Sequence, residues 1–292
     1  MSSGWSVALR LGRVSNLPTV WSNVLAGMTL ASGSASDPRL PLLLVALSLS
    51  YVAGMYLNDW FDRDIDSKQR PERPIPAGQV RASTVFSAGM AMLAASVVLL
   101  AWAGFGFTGG TGWRPLAAGL ALAAAIVFYD WRHKRNPLSP VVMGLCRLLV
   151  YIVAGYAVIE SPPAQLWWAA VLLLCYLIGL TYVAKQETLD AVRNWWPLGL
   201  LALPVLYAAL VGASSGLSAL LFVAFTAWVI FALHFLWRRR PGDVPRAVVS
   251  LIAGICLLDA VFIAAFGSAM VAGIAVGAFV ITLALQRLVS GT

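Results

Sequence analysis

Charge is what this chain lacks most. Of 292 residues only 11% are Asp, Glu, Lys or Arg, while 60% are hydrophobic. A soluble domain carries about 25% charged residues, so the composition excludes a water-soluble globular protein and implies an integral membrane protein. The apolar runs are helix-length rather than the alternating ten-residue segments of an outer-membrane barrel. Cysteine is scarce as well: Cys146, Cys175 and Cys256 all lie inside apolar runs, which suggests neither a disulfide framework nor a metal site. With two histidines in the chain, no paired-His metal motif occurs. A glycine-rich dinucleotide loop, a P-loop and a Ser-His-Asp elbow are absent too. The opening MSSGWSVALRLGRVSN has no clean apolar core ahead of a small-residue cleavage site, so no cleavable signal peptide is expected.

What is present is a series of apolar spans, at roughly 16–34, 40–58, 83–106, 114–130, 139–159, 165–185, 195–212, 217–237, 246–265 and 268–288. About 20 residues cross a hydrocarbon core, and most of these are long enough. The fourth and seventh are short. Only Gly267-Ser268 parts the last two, so the count is nine or ten. The expected fold is an all-α polytopic membrane bundle, a single transmembrane unit over residues 1–292.

The net charge of +8 is distributed unevenly. If the N-terminus is cytoplasmic, the inner loops hold Arg10, Arg13, Arg63, Lys68, Arg70, Arg73, Arg81, Arg132, Lys134, Arg135, Lys185, Arg193, Arg238, Arg239, Arg240, Arg246 and Arg287. The outer loops hold only Arg39 and Arg114, and Arg147 sits within a helix near its inner end. That asymmetry sets orientation. It places the N-terminus and the polar loops in the cytoplasm, with a bacterial plasma membrane as the expected location. The basic surplus is therefore a topology signal, and no nucleic-acid partner is expected.

The longest polar loop follows the second span and begins NDWFDRDIDSKQRPERPIPAG. On a helix, residues three and four apart share a face, so Asn58, Asp59, Asp62 and Asp66 converge and Asp64 falls elsewhere. Such a patch repels itself unless cations occupy it. Mg²⁺ takes a few carboxylates, keeps several waters and fills its remaining sites with phosphate oxygens. Lys68, Arg70 and Arg73 follow, stiffened by Pro71, Pro74 and Pro76, and arginine binds phosphate with a two-pronged fork. The bland alternative is a solvated loop whose acids balance its arginines. The spacing, the leading Asn and the RPERP run favour a magnesium diphosphate site.

The run N-D-x-x-D-x-x-x-D from Asn58 to Asp66, followed by Arg70-Pro71 and Gly78, resembles the first signature of the UbiA-type intramembrane prenyltransferases. RLGRVSNLPTVWSNVLAG (10–27) resembles that family's first helix, with Asn23 at the place of an asparagine facing the active site. YDWRHKR (129–135) resembles its tyrosine and basic pair, and MGLCR (143–147) the start of its fifth helix. The resemblance covers roughly residues 8–190. It implies helices around a central cavity open to the cytoplasm, and Mg²⁺-dependent transfer of a prenyl group from a prenyl diphosphate to a lipophilic or aromatic acceptor among the membrane lipids. It also implies roles. Asp59, Asp62 and Asp66 hold metal. Asp59, Asp62, Arg70 and Lys134 are catalytic. Asn23, Asn58, Arg73, Tyr129, Arg135, Arg147, Tyr182 and Lys185 bind substrate.

One part departs from the family. A second Asp-x-x-x-Asp is usual at the end of the sixth helix, and this chain reads LTYVAKQETLDAVRN there. Glu187 and Asp190, three apart, are then a shifted metal site, or Lys185 replaces the second ion's charge, or the site has decayed. The altered motif keeps a second function open, a non-catalytic prenyl-diphosphate-binding or scaffold protein. A transporter is a third, with no internal repeat and no paired outer charges to support it. Asp259, an acid inside the ninth span, is either a functional group or a hydrogen-bond partner of a neighbouring helix.

Overall fold

Four helices begin with a proline in their first turn, at Pro18, Pro41, Pro115 and Pro140. The missing N–H costs nothing there and the fixed φ suits helix entry. A computed structural model describes residues 4–185, 196–212, 215–238 and 240–289, apart from the side chains of 135, 196 and 197. Among the described residues the regular structure is entirely helical.

A short helix α1 (Gly4–Leu11) precedes ten longer ones. These are α2 (Leu17–Ser32), α3 (Leu40–Gln69), α4 (Ala82–Phe105), α5 (Arg114–Arg132), α6 (Ser139–Val158), α7 (Ala164–Lys185), α8 (Trp196–Gly212), α9 (Gly216–Arg238), α10 (Asp243–Phe266) and α11 (Ala269–Gln286). Each apolar run of the sequence is a helix. Seven helices, α3, α4, α6, α7, α9, α10 and α11, are long and apolar enough to cross a membrane. The chain breaks at Gly267, and Ser268 caps α11 by accepting from the Met270 amide at 3.2 Å. α10 and α11 are therefore two helices.

Successive helices pack against one another, and α2 and α10 sit at the centre. α2 touches α3, α6, α7, α10 and α11, while α10 touches α2, α7, α8, α9 and α11. Both inner helices bury nearly every side chain, whereas α4 and α9 bury one narrow stripe each. In lipid, helices gain little from hiding apolar surface, so close approach at small residues matters most. Gly27 shows it: a Cβ there would lie 2.8 Å from the Tyr151 carbonyl oxygen on α6. Gly144 does the same between α6 and α7, where a Cβ would stand 2.9 Å from the Leu174 carbonyl.

α3 has 30 residues, about 45 Å at 1.5 Å per residue, against a hydrocarbon core of about 30 Å. Its last third therefore extends beyond the hydrocarbon and carries the acidic patch. Pro71 directly follows Arg70, the residue that ends α3, and confines Arg70 to non-helical backbone.

Candidate active site

Period 3.6 decides which acids of α3 turn inward. Asn58, Asp59, Asp62 and Asp66 are all buried, whereas the Asp64 side chain is 84% exposed and lies 3.7 Å from its neighbour Arg63. Burying three carboxylates on one stripe is costly unless each finds a cation, and each does. Arg73 bridges Asp66 at 2.7 Å and Asp59 at 3.4 Å. Arg13 reaches Asp59 at 3.3 Å and Asn58 at 3.5 Å. Lys134 and His133 approach Asp62 at 3.1 and 3.4 Å.

Several of these side chains come from turns. Arg13 follows α1 in the left-handed region, φ 41° and ψ 48°, a conformation that costs a non-glycine residue roughly 1–2 kcal/mol. The Tyr51 hydroxyl donates to its carbonyl at 3.3 Å, which fixes the turn and aims the guanidinium at α3. His133 and Lys134 lie in the 3-10 turn that ends α5. The His133 ring stacks on Tyr129, with centroids 5.0 Å apart.

Sequence reasoning missed two members, Arg13 and Asp130. Asp130 on α5 is buried, and Asn58 Nδ2 donates to its Oδ1 at 3.2 Å. Its Oδ2 is buried with no hydrogen-bond partner. The signal was in the sequence: Asp130 precedes a basic run at the inner end of an apolar span, as Asp59 does in reverse. Arg13 gave no signal, because its reach depends on a left-handed turn.

Three cavities adjoin the patch. One, of about 470 Å³, lies between Phe61, Asp62, Ile65, Asp130, Trp131, Arg132 and Lys134. The second, about 240 Å³, brings Arg13, Arg70, Arg73 and Arg147 together against apolar residues of α7 and α10. The third, about 90 Å³, is mainly apolar and reaches Leu47, Leu122 and Val150. Tyr51, Met55, Tyr129, Met143 and Arg147 line both the second and the third. A cationic head space thus sits over an apolar one.

Other expected residues fall less centrally. Asn23 is fully buried and lines none of these cavities. Its Oδ1 accepts from Arg147 Nη1 at 2.9 Å and its Nδ2 donates to Asp259 at 2.8 Å. Lys185 donates to the Asn136 carbonyl at 3.0 Å, and Tyr182 lies half-buried on α7. Arg135 belongs to the 3-10 turn, its side chain outside the described residues, and Glu187 and Asp190 lie outside them altogether.

The donors present suit magnesium by chemistry. Asp59, Asp62, Asp66 and Asp130 offer hard oxygens, and Asp130 Oδ2 has a lone pair to spare. Among the described residues no three His, Cys, Asp or Glu side chains converge as a ready-made cage. Mg²⁺ characteristically needs none, since waters and phosphate oxygens complete its octahedron.

Comparison with known proteins places this geometry. A digeranylgeranylglyceryl phosphate synthase of Methanopyrus kandleri is 28% identical over 260 residues, covering 85% of this chain and 87% of its own. A solved structure concerning digeranylgeranylglyceryl phosphate synthase superposes with a TM-score of 0.64 at 18% identity, covering 90% of this chain and 98% of that one. A UbiA homologue from Archaeoglobus fulgidus, solved bound to GPP and Mg²⁺, superposes with a TM-score of 0.54 at 15% identity, covering 89% and 97%. The UbiA prenyltransferase family profile matches residues 20–255, and the chain belongs to that family of membrane enzymes, which transfer alkyl (prenyl) groups other than methyl.

Proposed function

We propose that this chain transfers a prenyl group from a prenyl diphosphate to a lipophilic or aromatic acceptor within the membrane, with Mg²⁺ as cofactor. The observation that carries the reading is the buried stripe of Asp59, Asp62 and Asp66 facing Arg13, Arg73 and Lys134, directly above an apolar cavity. Support for the donor and the ion comes from the Archaeoglobus homologue, solved with GPP and Mg²⁺.

In this reading Asp59, Asp62 and Asp66 hold the metal, and Asn58 and Asp130 border it. An Mg²⁺ ion held there would supply charge neutralisation of the diphosphate as a leaving group. Arg13, Arg70, Arg73, Lys134 and Arg135 share the same charge. Arg13, Arg73 and Lys134 are paired to the carboxylates that would take the ion. With an ion on those carboxylates, the same three side chains would be available to phosphate oxygens. The allylic C–O bond breaks, its electron pair leaves with the diphosphate, and a bond forms from acceptor to allylic carbon as the acceptor loses a proton. The rings of Tyr51 and Tyr129 line the space where that carbon would sit and favour developing positive charge.

Incubation of membranes with a radiolabelled prenyl diphosphate tests this. Magnesium-dependent passage of label into an acceptor is expected. Binding of the diphosphate with no turnover against a broad acceptor panel favours the scaffold instead, the reading kept open by KQETLDAVRN. Comparing lipids with and without the gene identifies donor length and acceptor together. The N-terminus and site loops face the cytoplasm in this proposal, following the distribution of arginine and lysine.

A further inference from the structure

Asp259 is a carboxyl group at the centre of a membrane bundle, with no solvent exposure. Such a group is costly in hydrocarbon, and its neighbours each give it a hydrogen bond. Ser22 Oγ donates to Oδ2 at 2.5 Å, Asn23 Nδ2 donates to the same oxygen at 2.8 Å, and the Tyr151 hydroxyl donates to Oδ1. The three donors come from two helices, α2 and α6, and the acceptor from a third, α10.

The chain of contacts continues from Asn23. Asn23 turns its NH₂ to Asp259 Oδ2. Its carbonyl oxygen then has one direction left, toward Arg147, which donates to it at 2.9 Å. Thr19 Oγ1 accepts from the other nitrogen of Arg147, also at 2.9 Å, while giving its own proton to the Asn16 carbonyl at 2.7 Å. Both contacts on the guanidinium are therefore fixed acceptors. Arg147 is held over the Tyr51 ring at 5.6 Å, in the wall common to the cationic and apolar cavities.

We propose that Asp259 is a positioning residue for substrate binding: through Asn23 it fixes Arg147 at the junction of head space and tail space, where the guanidinium meets the anionic end of the prenyl diphosphate. The inference rests on the functional reading above. It gives the buried carboxyl a role at a distance: one amide passes on its hydrogen-bond direction, so Arg147 is oriented without being neutralised by direct pairing. A direct carboxylate would compete with phosphate for the same fork, and an amide oxygen competes less.

Asp259→Asn tests the relay. An amide at 259 can present NH₂ as well as oxygen, which lets Asn23 flip and turn its own NH₂ on Arg147. Binding of radiolabelled geranyl diphosphate with Mg²⁺ to the detergent-purified full chain is the readout, counted on the monodisperse folded fraction. The Kd is expected to rise about tenfold, the cost of one misdirected charged hydrogen bond. Exchanging the two groups, Asn23→Asp with Asp259→Asn, places the carboxylate directly on Arg147, where it competes with phosphate, and is expected to leave Kd raised about tenfold or more. A folded D259N chain with wild-type Kd overturns the proposal, because a merely structural role changes the yield of folded protein and not its affinity. If D259N alone does not fold, the exchanged pair decides, and wild-type affinity from that folded pair overturns the proposal. Absence of binding by the wild-type chain overturns the prenyl diphosphate reading itself, and this inference with it.

Discussion

Asp64 turns its carboxylate to solvent, whereas Asp66, two residues on, is buried and held by Arg73 at 2.7 Å. Asp64→Ala should therefore leave kcat/KM within about twofold, as exposed substitutions generally do. Asp66→Ala should lower it by about 100-fold or more, equal to some 2.7 kcal/mol of lost transition-state stabilisation. Steady-state kinetics on the two variants checks the contrast. Arg13 allows a sharper test because its backbone and side chain pull in opposite directions. Arg13→Gly relieves a left-handed residue and deletes a guanidinium. Its melting temperature in detergent should not fall, while KM for the prenyl diphosphate should rise about tenfold, the loss of one charge-assisted contact. The inward selection of Asp59, Asp62 and Asp66 over Asp64 was legible because helical period is local. Asp130 and Arg13 were harder to read: one sat in a run that reads as basic, and the other acts across 46 residues of chain through a turn.

At the scale of elements, the apolar runs announced the helices because backbone polar groups in lipid must be satisfied within the segment. The break at Gly267 settled two helices where the sequence left one or two. How the helices approach was not legible, since it depends on which small residue meets which backbone. Gly27 and Gly273 look alike in sequence, each a glycine amid aliphatics. A Cβ at Gly27 would lie 2.8 Å from a carbonyl of α6, while one at Gly273 meets nothing within 4 Å. Gly27→Val should destabilise the bundle by about 1–3 kcal/mol, the usual range for overpacking, and Gly273→Val should not. Thermal unfolding in one detergent resolves the pair. The partners of Asp259 belong to the same class: Asn23 is 236 residues away in the chain, so no local pattern could have joined them.

For the whole molecule, the arrangement separates a polar end from an apolar body. The loop after α3, the turn after α5 and the turn after α1 gather at one end and supply Arg73, Lys134 and Arg13 to the same acidic stripe. The connections at the other end are stapled by Arg39, which donates to the carbonyls of Ala157 and Gly109 at 2.6 and 2.9 Å. Ala77 and Thr108 are exposed at opposite ends. As single cysteines they should react with a membrane-impermeant maleimide from opposite faces, Ala77→Cys only after access to the cytoplasm. Labelling of both from one face would contradict the proposed orientation. Sequence read this polarity from charge alone, because lysine and arginine mark the inner face. It could not give the shape of the cavities, which several helices build together.

The central claim is that the α3 carboxylates hold a prenyl diphosphate through Mg²⁺. Equilibrium binding of radiolabelled geranyl diphosphate to the purified chain, with Mg²⁺ and then with EDTA, for wild type and Asp62→Asn, tests it most directly. The account predicts saturable binding by wild type that EDTA abolishes, and at least about tenfold weaker Mg²⁺-dependent binding by the variant, one charge-assisted contact's worth or more. Equal binding with EDTA, or equal binding by Asp62→Asn, would contradict it.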